Sequence, residues 1–338
     1  MARDSSAHSP GDRGVMASWL RVGWRSPCRR LILSGLAFAA AAFLLYRELR
    51  GFTLDQLIAG LRATPIHALV LSVLVLTPAS YGCLAVTEWS ALHSLGQRLN
   101  WRRVGVVTFA AYAFSNSLGF SYATGTAARL RLYAASGLAA KDIAAIAVVA
   151  GTAVTLSGVV TAGIALVIDP AQFEGVFHMP AAAVIGVGAL LTAPSLLWFT
   201  ALRGRRPETP AQGLAVSLGG RALTLIVGVG DWVFSGAALF VLLPQHGLDA
   251  FPGFMAVFVL GSLVSAATGV PGGVGVFEAV VIGLGILLAR AHETPTALLL
   301  YRAIYSLGPM LLISAGLIAH GWLKRRSSGR IAGGADTA

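Results

Sequence analysis

The chain repeatedly runs for about 17 to 27 residues with little or no charge, and this repetition limits its fold more than any other feature. Roughly 20 residues of helix are needed to cross the ~30 Å of hydrocarbon in a bilayer. Of 338 residues, 56% are hydrophobic and only 12% charged, against roughly 25% charged in an ordinary soluble domain. A chain so composed cannot cover a folded surface with polar groups, and lipid must be its solvent. The short strands of alternating polarity that build a membrane barrel are absent. The expected fold is therefore an all-α polytopic membrane protein with roughly six to eight transmembrane helices. One or two re-entrant broken-helix hairpins are expected beside them.

The apolar runs predict spans at Leu31 to Tyr46, Ile66 to Leu92, Val104 to Phe120, Ile143 to Ile168, Ala181 to Leu202, Ala222 to Leu243, Phe254 to Val270, Val274 to Ala289 and Thr296 to Leu323. Residues 1–30 then form a basic tail, 31–323 a transmembrane domain and 324–338 a second tail. Leu31 to Tyr46 reads as a retained first span because the polar stretch before it is long for a signal peptide, with cleavage near Ala39 as the alternative. The net charge of +11 comes from Lys and Arg in short loops between apolar runs. That is the pattern of positive-inside topology and not of nucleic-acid binding. The N-terminal tail, Arg98 to Arg103, Arg129 to Lys141, Arg203 to Arg206 and Lys324 to Arg330 should be cytoplasmic, with both termini inside. Asp169 to Pro180 and Pro244 to Pro252 have no Lys or Arg and should face outward.

Val104 to Phe120 would then carry cytoplasmic charge at both ends, which one crossing cannot satisfy. The segment Val104 to Ser136 is expected to be a re-entrant hairpin broken around Asn116, Gly119 and Gly125. Non-helical backbone at membrane depth is tolerated only inside protein or against a water-filled cavity. A second interruption, at Pro271, Gly272 and Gly273, separates Phe254 to Val270 from Val274 to Ala289. Charge parity permits two full spans or a second hairpin there. If it is a hairpin, the chain is an inverted repeat of the transporter kind, with the ligand site between the broken helices.

Acids lie inside the apolar runs at Glu88, Asp231 and Glu278, each costing roughly 2.5–3.5 kcal/mol at a bilayer centre. Asp231 is expected in a transport cavity; the alternative is a packing clamp between helices. Glu278 follows Pro271 by nearly two helical turns, so both share one face. A helix starting at Pro271 could offer amide groups to a phosphate, unless the glycines are only a tight turn. Gly261, Ser265, Gly269 and Gly273 make a ladder of small residues suited to close helix packing. Arg129 and Arg131 would point about 200° apart on a helix, so one can face a phosphate or carboxylate while the other snorkels to the interface. Arg302, between Tyr301 and Tyr305, is either a cavity cation or an outer-interface anchor. Glu88, beside Trp89, is either a cavity or an interface residue. Cys28 and Cys83 suggest neither disulfide nor zinc site, and the histidines show no metal-ligand spacing. No nucleophile has a visible base, so no enzyme activity, cofactor or metal is expected.

The stretches LYREL (Leu45 to Leu49), N-S-L-G-F-x-x-x-x-G-x-x-x-R-L-R-L-Y (Asn116 to Tyr133), GDW (Gly230 to Trp232), VPGGVGVFE (Val270 to Glu278) and LLLYR (Leu298 to Arg302) resemble, in order, the transmembrane flippase region of the multiple peptide resistance factor and lysylphosphatidylglycerol synthase family. The resemblance implies movement of aminoacylated phosphatidylglycerol from the inner to the outer leaflet of a bacterial cytoplasmic membrane. It also implies that buried acids and an arginine matter, at positions resembled here by Glu88, Arg129, Asp231 and Glu278. Family synthases continue into a soluble aminoacyl-transfer domain. This chain ends soon after Leu323 and is not expected to make aminoacyl lipid alone. The partners implied are a phospholipid substrate and a separate aminoacyl-lipid synthase, with a homo-oligomer left open. Another lipid cargo, such as a polyprenyl-linked glycan or a plain phospholipid, and a non-transporting scaffold are the alternative functions.

Overall fold

A computed structural model describes residues 58, 61–118, 121–201, 218–243, 247–268, 273, 275–287 and 294–319. Among these all regular structure is helical: α1 (Ile66–Ser94), α2 (Trp101–Leu118), α3 (Ser121–Ala134), α4 (Ala140–Ile168), α5 (Ala171–Phe177), α6 (Ala181–Ala201), α7 (Leu218–Phe240), α8 (Phe251–Thr268) and α9 (Val276–Leu287). Last, α10 starts as Thr294–Tyr301, passes through a π turn at Arg302–Leu307 and continues to residue 319. Contacts divide the chain into two units, Ala41–Ile313 and Met1–Ala40 with Ser314–Ala338. Of the second unit only the helical residues 314–319 are described; all that follows concerns the first.

Six helices among the described residues are long and apolar enough to cross a membrane: Ile66–Ser94, Ala140–Ile168, Ala181–Trp198, Gly220–Phe240, Leu248–Thr268 and Thr296–Ala319. Their outer faces carry large exposed apolar side chains, including Leu74, Leu190 and Ile226, as helices solvated by lipid do. The expected span at Leu31 to Tyr46 lies outside the described residues. The expected spans at Val104 and Val274 are not among the six. Instead α2 packs along α3, and α8 along α9, so each broken segment is a folded-back pair. The 12 residues of α9 rise only about 18 Å. The order long helix, broken pair, long helix occurs twice, as α1, α2/α3, α4 and as α7, α8/α9, α10.

The first break is narrower than the sequence suggests. Asn116 lies inside α2 and Gly125 inside α3; Gly119 lies outside the described residues. Gly125 serves close approach and not chain reversal: a Cβ there would come within 2.5 Å of the Ser115 hydroxyl and 3.0 Å of an Arg129 nitrogen. At the second break Pro271 and Gly272 lie outside the described residues, while Gly273 and Gly275 have φ of 62° and 83°, which glycine adopts freely. The helix that follows starts at Val276, not at Pro271. Of the small-residue ladder, Gly269 lies outside the described residues, and the other three members make close contacts. Gly261 faces Val281 and Phe277 of α9, and a Cβ on Gly273 would overlap the Ser265 hydroxyl.

Two prolines inside long helices have visible consequences. Pro78 and Pro309 have no N–H to give to the carbonyl four residues back, and each ring crowds that carbonyl. In both helices the affected residue, Leu74 or Tyr305, falls inside a π turn, Ser72–Leu76 in α1 and Arg302–Leu307 in α10. In α10 two carbonyls of the π turn, that of Tyr305 among them, accept from side chains. The Tyr81 hydroxyl donates to Tyr305 O at 3.1 Å, and the Ser117 hydroxyl donates to Ser306 O at 2.8 Å. Neighbouring side chains commonly satisfy freed carbonyls in this way inside membranes. Here they also tie α1 and the end of α2 to α10.

Helix α4 packs against α3, α6, α7 and α8, and α1 packs along α7. Small residues permit this. A Cβ on Gly163 of α4 would stand 2.6 Å from the Gly188 carbonyl oxygen of α6, and one on Gly158 would strike the Trp232 indole of α7 at 2.6 Å. With lipid as apolar as leucine, such van der Waals fit replaces the hydrophobic effect as the force joining helices.

Candidate functional site

Between the two broken pairs lies a cavity of about 270 Å³, just below the roughly 300–1,000 Å³ range of small-molecule pockets. Asn116 and Ser115 of α2, Arg129 of α3, Asp231 and Trp232 of α7, Ser262 and Ser265 of α8, Gly273 and Phe277 at the second break, and Tyr301, Arg302 and Tyr305 of α10 line it. Residues spread over more than 180 positions of sequence therefore converge on one space. That convergence follows from the packing: each broken pair contacts a long helix of the other half, α2 against α10 and α8 against α4.

Arg129 is buried and pairs bidentately with Glu88, Nε to Oε1 at 2.7 Å and Nη2 to Oε2 at 2.6 Å. The Tyr133 hydroxyl, one helical turn beyond Arg129, donates to the same Oε1 at 3.3 Å. The guanidinium also sits 5.0 Å from the Tyr112 ring centroid, within cation–π range. Glu88 is wholly buried, which excludes the interfacial position that Trp89 suggests. It does not line the cavity either; it stands behind Arg129. Arg131 is half-buried and does not line the cavity.

The second pair reverses the roles. Here the acid, Glu278, sits on the broken pair and the arginine, Arg302, on a long helix. Arg302 Nε donates to Glu278 Oε1, and Nη2 donates to the Gly273 carbonyl at 3.2 Å. Its guanidinium carbon lies 5.9 Å from the Phe277 centroid. Arg302 is therefore buried in the helical body and is not an outer-interface anchor. The other oxygen of Glu278 accepts the Gly275 amide at 2.8 Å, the return bond of a capping box at the start of α9. The helix-start amide at Gly275 thus meets the protein's own carboxylate.

Asp231 is held by a hydroxyl group and not through an ion pair among the described residues. The Ser80 hydroxyl of α1 donates to its Oδ1 at 2.5 Å, and that hydroxyl also shares a 2.7 Å bond with the Tyr305 hydroxyl. The five charged residues singled out in the sequence are all buried or partly buried around this space. Ser80, Tyr112, Tyr133, Trp232 and Tyr305 were not singled out for it. Tyr133 had a signal, since it follows Arg129 by four residues on one helix face. The others had none, because their roles depend on a neighbour far away in the chain. Among the described residues no cluster of His, Cys, Asp and Glu could hold a metal ion.

Helix lengths, apolar outer faces and a charged internal cavity define a multi-pass α-helical membrane protein. The chain belongs to the family described as the lysylphosphatidylglycerol synthase transmembrane region, which it matches over residues 32–313. This is the family that the five sequence motifs resemble. The chain is similar to uncharacterized protein slr0712 of Synechocystis sp., with 32% identity over 268 residues, 76% of this chain and 81% of that protein. It is also similar to inner membrane protein YbhN of Escherichia coli, with 30% identity over 240 residues, 69% of this chain and 73% of that protein.

Proposed function

We propose that the protein is a transporter and not an enzyme, moving a phospholipid with an aminoacylated head group, of the lysylphosphatidylglycerol kind, from the inner to the outer leaflet. Its place is a bacterial cytoplasmic membrane, with both termini inside, as the basic loops suggest. The observation that carries this reading is the charge set at the cavity: Arg129, Arg302 and Asp231 line it, and Glu88 and Glu278, which do not, pair with the two arginines.

With all five ionised, the set holds one net negative charge. Lysylphosphatidylglycerol carries one phosphodiester charge and two ammonium charges, one net positive, and would neutralise it. Unmodified phosphatidylglycerol would leave two negative charges in a space of lowered dielectric, where charge imbalance is costly. The guanidiniums supply fork-like donors for the phosphate, and Asp231 supplies the partner for an ammonium group. Each arginine would keep its glutamate as counter-ion while it meets the phosphate, so that no buried charge is left bare. The cavity has room for a head group but not for acyl chains, which would stay in the bilayer. Two folded-back pairs, one beside each long-helix set, would let the space open to either leaflet in turn.

The test is the Asp231→Asn variant in cells where a separate synthase supplies aminoacyl lipid. Outer-leaflet aminoacyl lipid, read by labelling with an amine reagent that does not cross the membrane, should fall several-fold while total aminoacyl lipid is unchanged. Unchanged outer-leaflet exposure would remove the proposed role. Equal movement of phosphatidylglycerol and its lysyl ester by the reconstituted protein would replace the aminoacyl cargo by a general phospholipid.

A further inference from the structure

Four aromatic rings share the cavity wall with Asp231: Trp232, Phe258, Tyr301 and Tyr305. Tyr301 and Tyr305 stack nearly parallel, 14° between planes and 5.1 Å between centroids. Phe258 stands almost perpendicular to Tyr301, at 82° and 5.9 Å. Trp232 stands at 75° to Phe258, at 6.2 Å. The rings therefore form walls meeting at steep angles, not a single stacked layer. Aromatic faces attract a cation placed within roughly 6 Å of the centroid, and enclosures of several rings are the usual receptor for alkylated ammonium groups. Two other cavity rings, Tyr112 and Phe277, already lie against the protein's own guanidiniums.

The aromatic walls are held in place. The Trp232 indole N–H donates to the Val154 carbonyl at 2.8 Å, and Gly158 leaves room for the ring. The Tyr305 hydroxyl and the Asp231 carboxylate are joined through Ser80. Ring faces and carboxylate are thus one preorganised unit, which lowers the cost of binding. A carboxylate alone favours an ammonium group that can donate hydrogen bonds. Ring faces add attraction for the positive charge itself, whether the nitrogen carries hydrogens or methyl groups. A neutral glycerol head group gains neither.

We propose that Trp232, Phe258, Tyr301 and Tyr305, with Asp231, form a pocket for the cationic nitrogen of a lipid head group, bordering Arg302, which would face its phosphate. This rests on the reading of the cavity as a head-group site and assigns its two poles. It extends the acceptable ligands from aminoacyl lipids to any phospholipid whose head group bears a cationic nitrogen, quaternary ones included.

The experiment measures binding of short-chain phosphatidylcholine and short-chain phosphatidylglycerol to the purified full chain in detergent. Phosphatidylcholine should bind more tightly by roughly tenfold, the scale of a desolvated cation–π contact. The ratio should fall towards one in Trp232→Leu and persist in Trp232→Phe, which keeps a ring face. A ratio near one in the unaltered protein, or a ratio that Trp232→Leu leaves intact, overturns the pocket. Thermal unfolding of each variant identifies one that fails to fold; Tyr301→Leu against Tyr301→Phe then gives the same comparison. Lipid movement in reconstituted vesicles is read separately. A protein that keeps the ratio but moves no lipid retains the pocket and loses the transport reading. One that moves lipid with a ratio near one loses the pocket alone.

Discussion

The two broken helix pairs make the same kind of ion pair in opposite ways. In the first half the acid Glu88 sits on long helix α1 and the arginine on broken-pair helix α3. In the second half the acid Glu278 sits on broken-pair helix α9 and the arginine on long helix α10. The first pair is sealed, with side-chain exposures of 6% for Arg129 and 0% for Glu88; the second is more open, at 11% for Arg302 and 17% for Glu278. Among the described residues the first acid is held by side chains, those of Arg129 and Tyr133. The second also caps its helix through the Gly275 amide. The difference teaches that similar buried charges can have different jobs: Glu88 is a fixed counter-ion, and Glu278 joins a helix start to the cavity wall.

The hardest test of that contrast is Glu88→Gln. Leaving Arg129 buried without its anion should cost about 3–5 kcal/mol, read as a large drop in unfolding temperature in detergent. Replacing both partners, as Glu88→Leu with Arg129→Met, should recover most of the loss, since paired removal of buried charge is often near neutral. A small loss from Glu88→Gln alone would break the distinction between sealed and open pairs.

Glu278→Gln should cost less, about 2 kcal/mol, because the amide oxygen of glutamine can still accept the Gly275 N–H and the pair is less deeply buried. Equal losses from the two glutamine variants in the same unfolding assay would make the pairs equivalent. Gly273→Ala sharpens the picture of the second break. With φ at 62°, a left-handed alanine should cost about 1–2 kcal/mol, plus the overlap with Ser265. Adding Ser265→Gly should return only the overlap part, so a full return of unfolding temperature would show that backbone strain is not involved.

The smallest effect concerns how the second half holds Arg302 at the start of a proline-made π turn. Tyr81→Phe removes the hydroxyl that serves the Tyr305 carbonyl and should cost about 1 kcal/mol. In a Pro309→Ala background the new backbone N–H can serve that carbonyl, so the cost of Tyr81→Phe should nearly vanish. The double-mutant cycle measures the coupling directly; additive costs would mean that the proline is not what frees the carbonyl.

Particular residues show how far the sequence reaches. Asp231 stands out because an acid in an apolar run must be held by something, yet nothing near it in the chain names Ser80, 151 residues away. Arg129 and Arg131 were separable by helical angle alone, and Arg129 is the one at the cavity. That its anion is Glu88, 41 residues earlier, is invisible locally. Glycine misled once: Gly125 looks like a chain break but lies in a helix, because glycine also marks close packing, and spacing cannot separate the two uses. Trp89 beside Glu88 suggested an interface, since an aromatic–acid neighbour pair says nothing about which way the acid turns.

What the sequence determined by itself was the solvent and the secondary structure. Both follow from local sums: about 20 consecutive apolar residues must be helical in lipid because every backbone group needs a partner within its own segment. It also marked the second break at Gly273, whose positive φ is a property of its own backbone. Only the tertiary structure decided which acid holds which arginine, which rings surround Asp231 and where the broken pairs meet. Those are contacts between distant segments, and ion pairing and ring packing depend on ångström separations that spacing along a chain does not encode.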